Sequence, residues 1–333
     1  MRRATNRERT AMRRRHLLTL AALPAAARAQ APEGWRPDRP VRVVVPFAPG
    51  GTTDVVARVV AEAAGGALGQ PWVVENRPGG AAGLVGMDAV AKAAPDGQTI
   101  LIHSNGHVLA PALVARPPVD PIADFSGIAM IGRIPQVLVV NPRSGLATLA
   151  ELVARLRAEP GRHHFASAGI GSAVHVAGEV FRAVTGTDIQ PVHYRGGGPA
   201  MQAVITGEAI FTVDPVASAG GHVRGGTVRG LAIAGPQRFA GLPEVPTAAE
   251  AGLPEFRAES WLVALAPART PPAVLAALGM AIAASRDRAA ARLAELGVQP
   301  LPEAGTQAAL MAWMRREMDR GIALLRAAGV QPD

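Results

Sequence analysis

Three stretches of this 333-residue chain set glycines beside hydroxyl side chains where an apolar run gives way to a helical pattern. They are Pro46-Phe47-Ala48-Pro49-Gly50-Gly51-Thr52-Thr53-Asp54, Ser167-Ala168-Gly169-Ile170-Gly171-Ser172 and Tyr194-Arg195-Gly196-Gly197-Gly198-Pro199. The chemistry open to such turns is anion binding. Glycine lets a ligand approach the backbone, and the first N–H groups of a helix lack partners and sit at the positive end of its dipole. A charge-assisted hydrogen bond contributes about 1.5–3 kcal/mol, so four supply roughly 6–12 kcal/mol before association costs are subtracted. That suffices for a micromolar carboxylate site with no lysine or arginine in it. The plainer reading is that the glycines only make short connections. Three turns of one kind weaken it.

Other chemistries lack their residues. There is no cysteine, hence no disulfide, thiol nucleophile or lipid-bearing cysteine. Ser167 lacks the first glycine of a G-x-S-x-G elbow, and the one lysine, Lys92, lies in no P-loop. Gly169 and Gly171 lack the third glycine of a dinucleotide fingerprint, so no cofactor is expected. Among eight histidines, His103 and His107 are four apart but flank a turn at Gly106, and His163 and His164 are adjacent. Neither spacing is that of a metal site, and none is expected.

The elements that must position the turns alternate. Strand-like runs at 41–47, 72–75 and 99–103 are separated by helical patterns at 52–68 and 81–93, a β-α-β-α-β order that implies right-handed crossovers and a parallel sheet. Apolar runs at 128–134 and 137–140 follow, with Pro135 between them. The alternation restarts with helices at 149–158, 173–184 and 200–206 and strands at 164–167, 189–194, 210–213, 229–234 and 260–266. Pro199 suits a first helical position. The tail is helical over 272–296 and 307–328 and is expected to pack back on the first half, so the chain crosses between halves near Ile134 and Ala258.

Length argues for two domains, and 49% apolar residues provide ample core. The net charge of +8 suggests a nucleic-acid partner but is concentrated at one end. Residues 1–29 hold eight arginines against Glu8, +7 in all, which leaves +1 for everything after. With 4% aromatics there is no basic groove with stacking platforms, and no nucleic acid is expected. The same segment reads as a signal peptide: a basic stretch to Arg15, an apolar run from Leu17 to Ala27, and an Ala27-Arg28-Ala29 cleavage site. Arg14-Arg15 suits a twin-arginine leader, with an ordinary Sec signal as the alternative, and Met12 is a second candidate start. A free periplasmic protein is expected, with no later segment long enough to span a membrane.

Taken in order, the first turn, Val74-Glu75-Asn76-Arg77-Pro78-Gly79, Lys92-Ala93-Ala94-Pro95-Asp96-Gly97, Ser167 to His175, Tyr194-Arg195-Gly196-Gly197 and Leu242-Pro243-Glu244-Val245-Pro246-Thr247 with Glu250-Ala251-Gly252-Leu253-Pro254 form a specific series. The chain resembles the Bug family, the substrate-binding receptors of tripartite tricarboxylate transporters. The resemblance implies an α/β, type II periplasmic-binding-protein fold whose two lobes, 33–134 with 258–333 and 135–257, close about a hinge on a ligand cleft. It implies a non-enzymatic monomer holding a small di- or tricarboxylate, or a related acid, for membrane permease subunits. It further implies ligand contacts at Phe47, Gly51, Thr52, Thr53, Asp54, Ser104, Asn105, Ser167, Gly171, Ser172, His175, Gly196, Gly197 and Asp214. Thr212-Val213-Asp214-Pro215 departs from the family's usual phenylalanine-aspartate-asparagine. For three side chains local roles compete with ligand contact: Asp54 at its own helix start, His175 packed on its first turn, and Arg195 facing solvent. A receptor that signals to a sensor protein, and an exported enzyme acting on an organic acid, remain as alternatives.

Overall fold

A computed structural model describes residues 34–327 and 329–332; the expected leader and both candidate starts lie outside them. The chain opens with β1 (Val41–Val45), α1 (Thr52–Leu68), β2 (Trp72–Asn76), α2 (Leu84–Ala91) and β3 (Thr99–His103), followed by a 3-10 turn, Asn105–Leu109, and the short α3 (Ala110–Leu113). β1 pairs in parallel with β2 on one side and β3 on the other. Covered on both faces, it is almost wholly apolar, and all its residues but Arg42 are buried. α1 buries Val56, Val59, Val60 and three alanines, and ends at Gly69 in the left-handed conformation.

The long β4 (Phe125–Val140) comes next, then α4 (Leu149–Ala158), β5 (His164–Ser167), α5 (Ala173–Thr185), β6 (Gln190–His193), α6 (Gly197–Thr206), β7 (Phe211–Pro215), α7 (Val216–Arg224) and β8 (Arg229–Ile233). The chain ends with β9 (Glu259–Pro267), α8 (Pro272–Arg288), α9 (Ala290–Glu295) and α10 (Gln307–Ala327). The strands form one sheet in the order β2-β1-β3-β9-β4-β7-β5-β6, with β8 also on β4. α8 and α9 pack on α1, where Arg292 meets Glu62, and α10 brings Trp313 edge-on to Trp261 of β9 at 4.9 Å. The tail thus packs back on the first half. Among the described residues no helix is long and apolar enough to cross a membrane.

Three sequence expectations need correction. The runs on either side of Pro135 are one strand. Pro135 is the last β4 residue paired with β9, opposite Glu259, and Gln136 is the first paired with β7. A residue without an N–H is tolerated where the strand changes partners. Second, α6 starts at Gly197, two residues before Pro199, because Gly196 forms the N-cap. Third, α7 and the 105–113 segment are helical where apolar spacing alone predicts no element.

Candidate functional site

The β1–α1 and β6–α6 turns meet. The Ala48 N–H donates to the Arg195 carbonyl at 2.9 Å. A Cβ on Gly196 would stand 2.9 Å from the Ala48 nitrogen, and one on Gly198 only 2.6 Å from the Pro49 oxygen. No other residue fits so close an approach. Beside them the Ala82 N–H donates to the Ile170 carbonyl at 2.7 Å, joining the turns before α2 and α5. A third link pairs the hydroxyls of Thr52 and Ser218 at 2.8 Å.

These contacts border a cavity of about 30 Å³, room for roughly two waters or one carboxylate group. Its wall includes Phe47, Gly51, Thr52, Thr53 and Ser104 from one side, Ser172, Gly197 and Asp214 from the other, and Ser260 of β9. The N-caps of α1 and α6, Gly51 and Gly196, offer no side-chain cap, which leaves the first N–H groups of both helices for another partner. Ser172 caps α5 by accepting from the His175 N–H, so its own proton stays available for donation. Among the described residues lining this cavity only Asp214 is ionisable.

Eight of the fourteen residues implied by the family resemblance line the cavity: Phe47, Gly51, Thr52, Thr53, Ser104, Ser172, Gly197 and Asp214. The other six stand behind or beside the wall. Asp54 accepts from the Gly50 N–H and Asn76 and pairs with Arg58, so its carboxylate serves the start of its own helix. His175 is buried, its Nδ1 accepting from the Gly171 N–H and its Nε2 3.6 Å from Glu179. The Ser167 hydroxyl is fully buried, with Gly169 and His193 as partners. Gly171 and Gly196 shape their turns. Asn105 bridges β9, accepting from the Trp261 N–H and donating to the Glu259 carbonyl. It lines a second cavity, of about 440 Å³, on the opposite face of β9: Ser260 borders the small cavity, Glu259 and Trp261 the large one. Arg195 is exposed.

Electrostatically the wall offers a single titratable group. Burial pushes the Asp214 carboxyl up to about 7, against the lowering effect of its bond from Ser218. Burial would also raise Asp54, but Arg58, Gly50 and Asn76 outweigh it and hold its pKa below the ordinary value. Behind Phe47, His103 and His107 are fully buried, their Nε2 atoms on the carbonyls of Ala82 and Pro121. Burial lowers both, His107 to about 4, and keeps the pair uncharged.

Sequence reasoning missed Ser218, which links Thr52 to Asp214. A signal exists only if 216–224 is read as helix: its first turn then brings Ser218 back beside Asp214, the residue before the Pro215 N-cap. Ser260 and the apolar liners Ala168, Ala173, Val174 and Pro215 carried no signal of their own.

Residues 56–330 match the tripartite tricarboxylate transporter family receptor. The chain belongs to that family. Among solved structures, this family receptor is similar to the periplasmic binding protein BugD, with TM-score 0.85 and 31% identity over 89% of this chain and 100% of that one. It is also similar to MatC from Rhodopseudomonas palustris with bound malate, with TM-score 0.81 and 33% identity over 87% and 99% of the two chains. R. palustris Rpa4515 with adipate gives TM-score 0.83 and 31% identity over 89% and 99%. The fold is that of the periplasmic binding proteins, and the family is one of solute-binding receptors, not of enzymes.

Proposed function

We propose that this receptor captures a small organic di- or tricarboxylate in the periplasm and presents it to the permease subunits of a tripartite tricarboxylate transporter. The observation that carries this reading is the small cavity, where two uncapped helix starts and several hydroxyls converge with no basic side chain. A buried anion held by N–H and O–H donors needs no countercharge, because each charge-assisted bond contributes about 1.5–3 kcal/mol and the dipoles are already oriented. The malate in MatC and the adipate in Rpa4515 support an acid of that size. The eight wall residues from Phe47 to Asp214 are proposed to be the contacts, with Ser260 beside them.

The two halves act as lobes, 33–134 with 258–333 and 135–257. The partner change of β4 at Pro135/Gln136 and the start of β9 at Glu259 support hinge points there. The space inside the clasped turns fits one carboxylate group, so a whole diacid enters when the turns part and is held with them further apart than they stand here. A cleaved leader at 1–29, of the twin-arginine or Sec type, would deliver the protein to its compartment.

The reading is tested by calorimetry and thermal shift with malate, adipate, citrate and an uncharged control of similar size. A ligand at one hundred times its Kd should stabilise the fold by about 2.7 kcal/mol. A folded protein that no carboxylate stabilises would sink it, and turnover of a bound acid would redirect it to enzymology.

A further inference from the structure

Within the cavity one side chain does not suit an anion site. Asp214 is 2% exposed, and it is the one ionisable group among the described residues of the wall. Its Oδ2 accepts the Ser218 hydroxyl at 2.5 Å, whereas Oδ1, beside Gly197 at the uncapped start of α6, has no partner at all. A buried oxygen left unpaired in a cavity is unfavourable unless a ligand completes it. Were Asp214 ionised, a ligand carboxylate would enter a desolvated space already holding a like charge, with no cation to offset the pair. Two carboxylates in such contact share one proton instead.

Resting on the carboxylate reading above, we propose that Asp214 is a specificity-determining residue which meets the ligand as a neutral acid, its Oδ1 hydroxyl donating to a ligand carboxylate oxygen, so that capture takes up one proton. The hydrogen-bond chain assigns the proton's position. Of the two acceptors within reach of Ser218, Oδ2 at 2.5 Å is closer than the Pro215 carbonyl at 3.1 Å and takes its hydrogen. The Thr52–Ser218 pair, which either hydroxyl can donate, is then donated by Thr52, and the acid proton is left to Oδ1, the oxygen without a partner. No bond between heavy atoms changes; one proton leaves a buffer acid or hydronium and forms the O–H bond on Asp214 as the anion binds. Hydrogen-bonding to the neutral acid favours a carboxylate oxygen, a pure acceptor, over the ammonium of an amino acid, a pure donor.

The surroundings do not supply a countercharge. The titratable groups on the packed elements are Asp54, Arg58 and Glu62 of α1, Arg133 of β4, His164 of β5, His175, Glu179 and Arg182 of α5, and His222 and Arg224 of α7; α6 has none. The upward shift of Asp214, to about 7, comes from burial and is opposed only by Ser218. A bound anion raises it further.

The first test needs no ligand. Carboxyl 13C NMR of aspartate-labelled protein, titrated from about pH 5 to 9, should show one aspartate titrating near neutrality and missing in D214N. S218A should move that midpoint upward, because it removes the bond that lowers it. No aspartate titrating above about pH 6 overturns the proposal. The second test is calorimetry of malate and adipate at about pH 8, in buffers of different ionisation heat. Close to one proton should be taken up per acid bound, and affinity should fall about tenfold per pH unit above 7. D214N should bind with pH-independent affinity and no proton uptake; if that variant fails to fold, the two wild-type arms decide alone. Binding without proton uptake, or affinity that rises with pH as for an ionised Asp214 accepting from the ligand, overturns the proposal and leaves the carboxylate reading standing. Failure of both acids to bind at any pH strikes that reading, while the titration still reports the state of Asp214.

Discussion

Gly198 approaches the Pro49 carbonyl so closely that a single methyl group would part the two turns. Its φ is not left-handed, so Gly198→Ala separates closure from local strain. The variant should fold with a nearly unchanged melting temperature in the absence of ligand, yet bind carboxylates at least about tenfold more weakly, a change of about 1.4 kcal/mol or more. Calorimetry beside a melting curve checks both halves of that expectation. Asp214 has a consequence for stability as well as for binding. Its folded pKa is raised, so its contribution is fully present below the unfolded value near 4 and is lost as pH rises through about 7. D214N should therefore gain on the wild type in melting temperature between about pH 4 and 7 and hold that advantage above it. The depressed histidines act with the opposite sign. His107 favours the fold above its unfolded pKa of 6.5, and that contribution fades as pH falls through about 4. His107→Gln should flatten the acid side of the melting-temperature profile.

At the scale of elements, α4 offers a control away from the site. Thr148 and Glu151 form a reciprocal capping box at its start. Thr148→Ala should lower stability by about 1 kcal/mol in urea melts and leave ligand affinity untouched. Most elements of this kind were legible in the chain. Helices at 52–68 and 149–158 and strands at 99–103 and 164–167 follow from apolar spacing alone, because burial sets that spacing. What stayed hidden depends on tertiary context. The helix at 216–224 carries Gly220 and Gly221 and weak local propensity, and forms where packing on β4 compensates. Pro135 reads as a break because the sequence does not reveal that β4 exchanges neighbours there. The site follows the same division. The glycine turns announce a cradle, while the Ser218–Asp214 bond and the retreat of His175 and Ser167 behind the wall depend on how helices face one another.

Over the whole molecule, β4 and β9 are the strands on which the two halves of the sheet join, and a cavity lies on each face of β9. Trp261 borders the larger one, stacked edge-on to Trp313 from the tail. A hinge motion there should change the surroundings of this pair. Malate or adipate should therefore alter intrinsic tryptophan fluorescence, and Trp261→Phe should remove most of the change while preserving affinity within about threefold. Scattering should report a smaller radius of gyration on ligand addition; an unchanged radius with full binding would reject hinge closure.

The clasp between the turns is peptide on peptide, Ala48 to Arg195 and Ala82 to Ile170. Apart from the Thr52–Ser218 hydroxyl pair, the fastener is therefore blind to the identity of what it encloses, because its other two links are made by backbone alone. Wall residues such as Thr53, Ser104, Ser172 and Val174 can be exchanged without redesigning the lock. An engineer wanting a biosensor for a different acid could randomise those four positions and still rely on the same mechanical output.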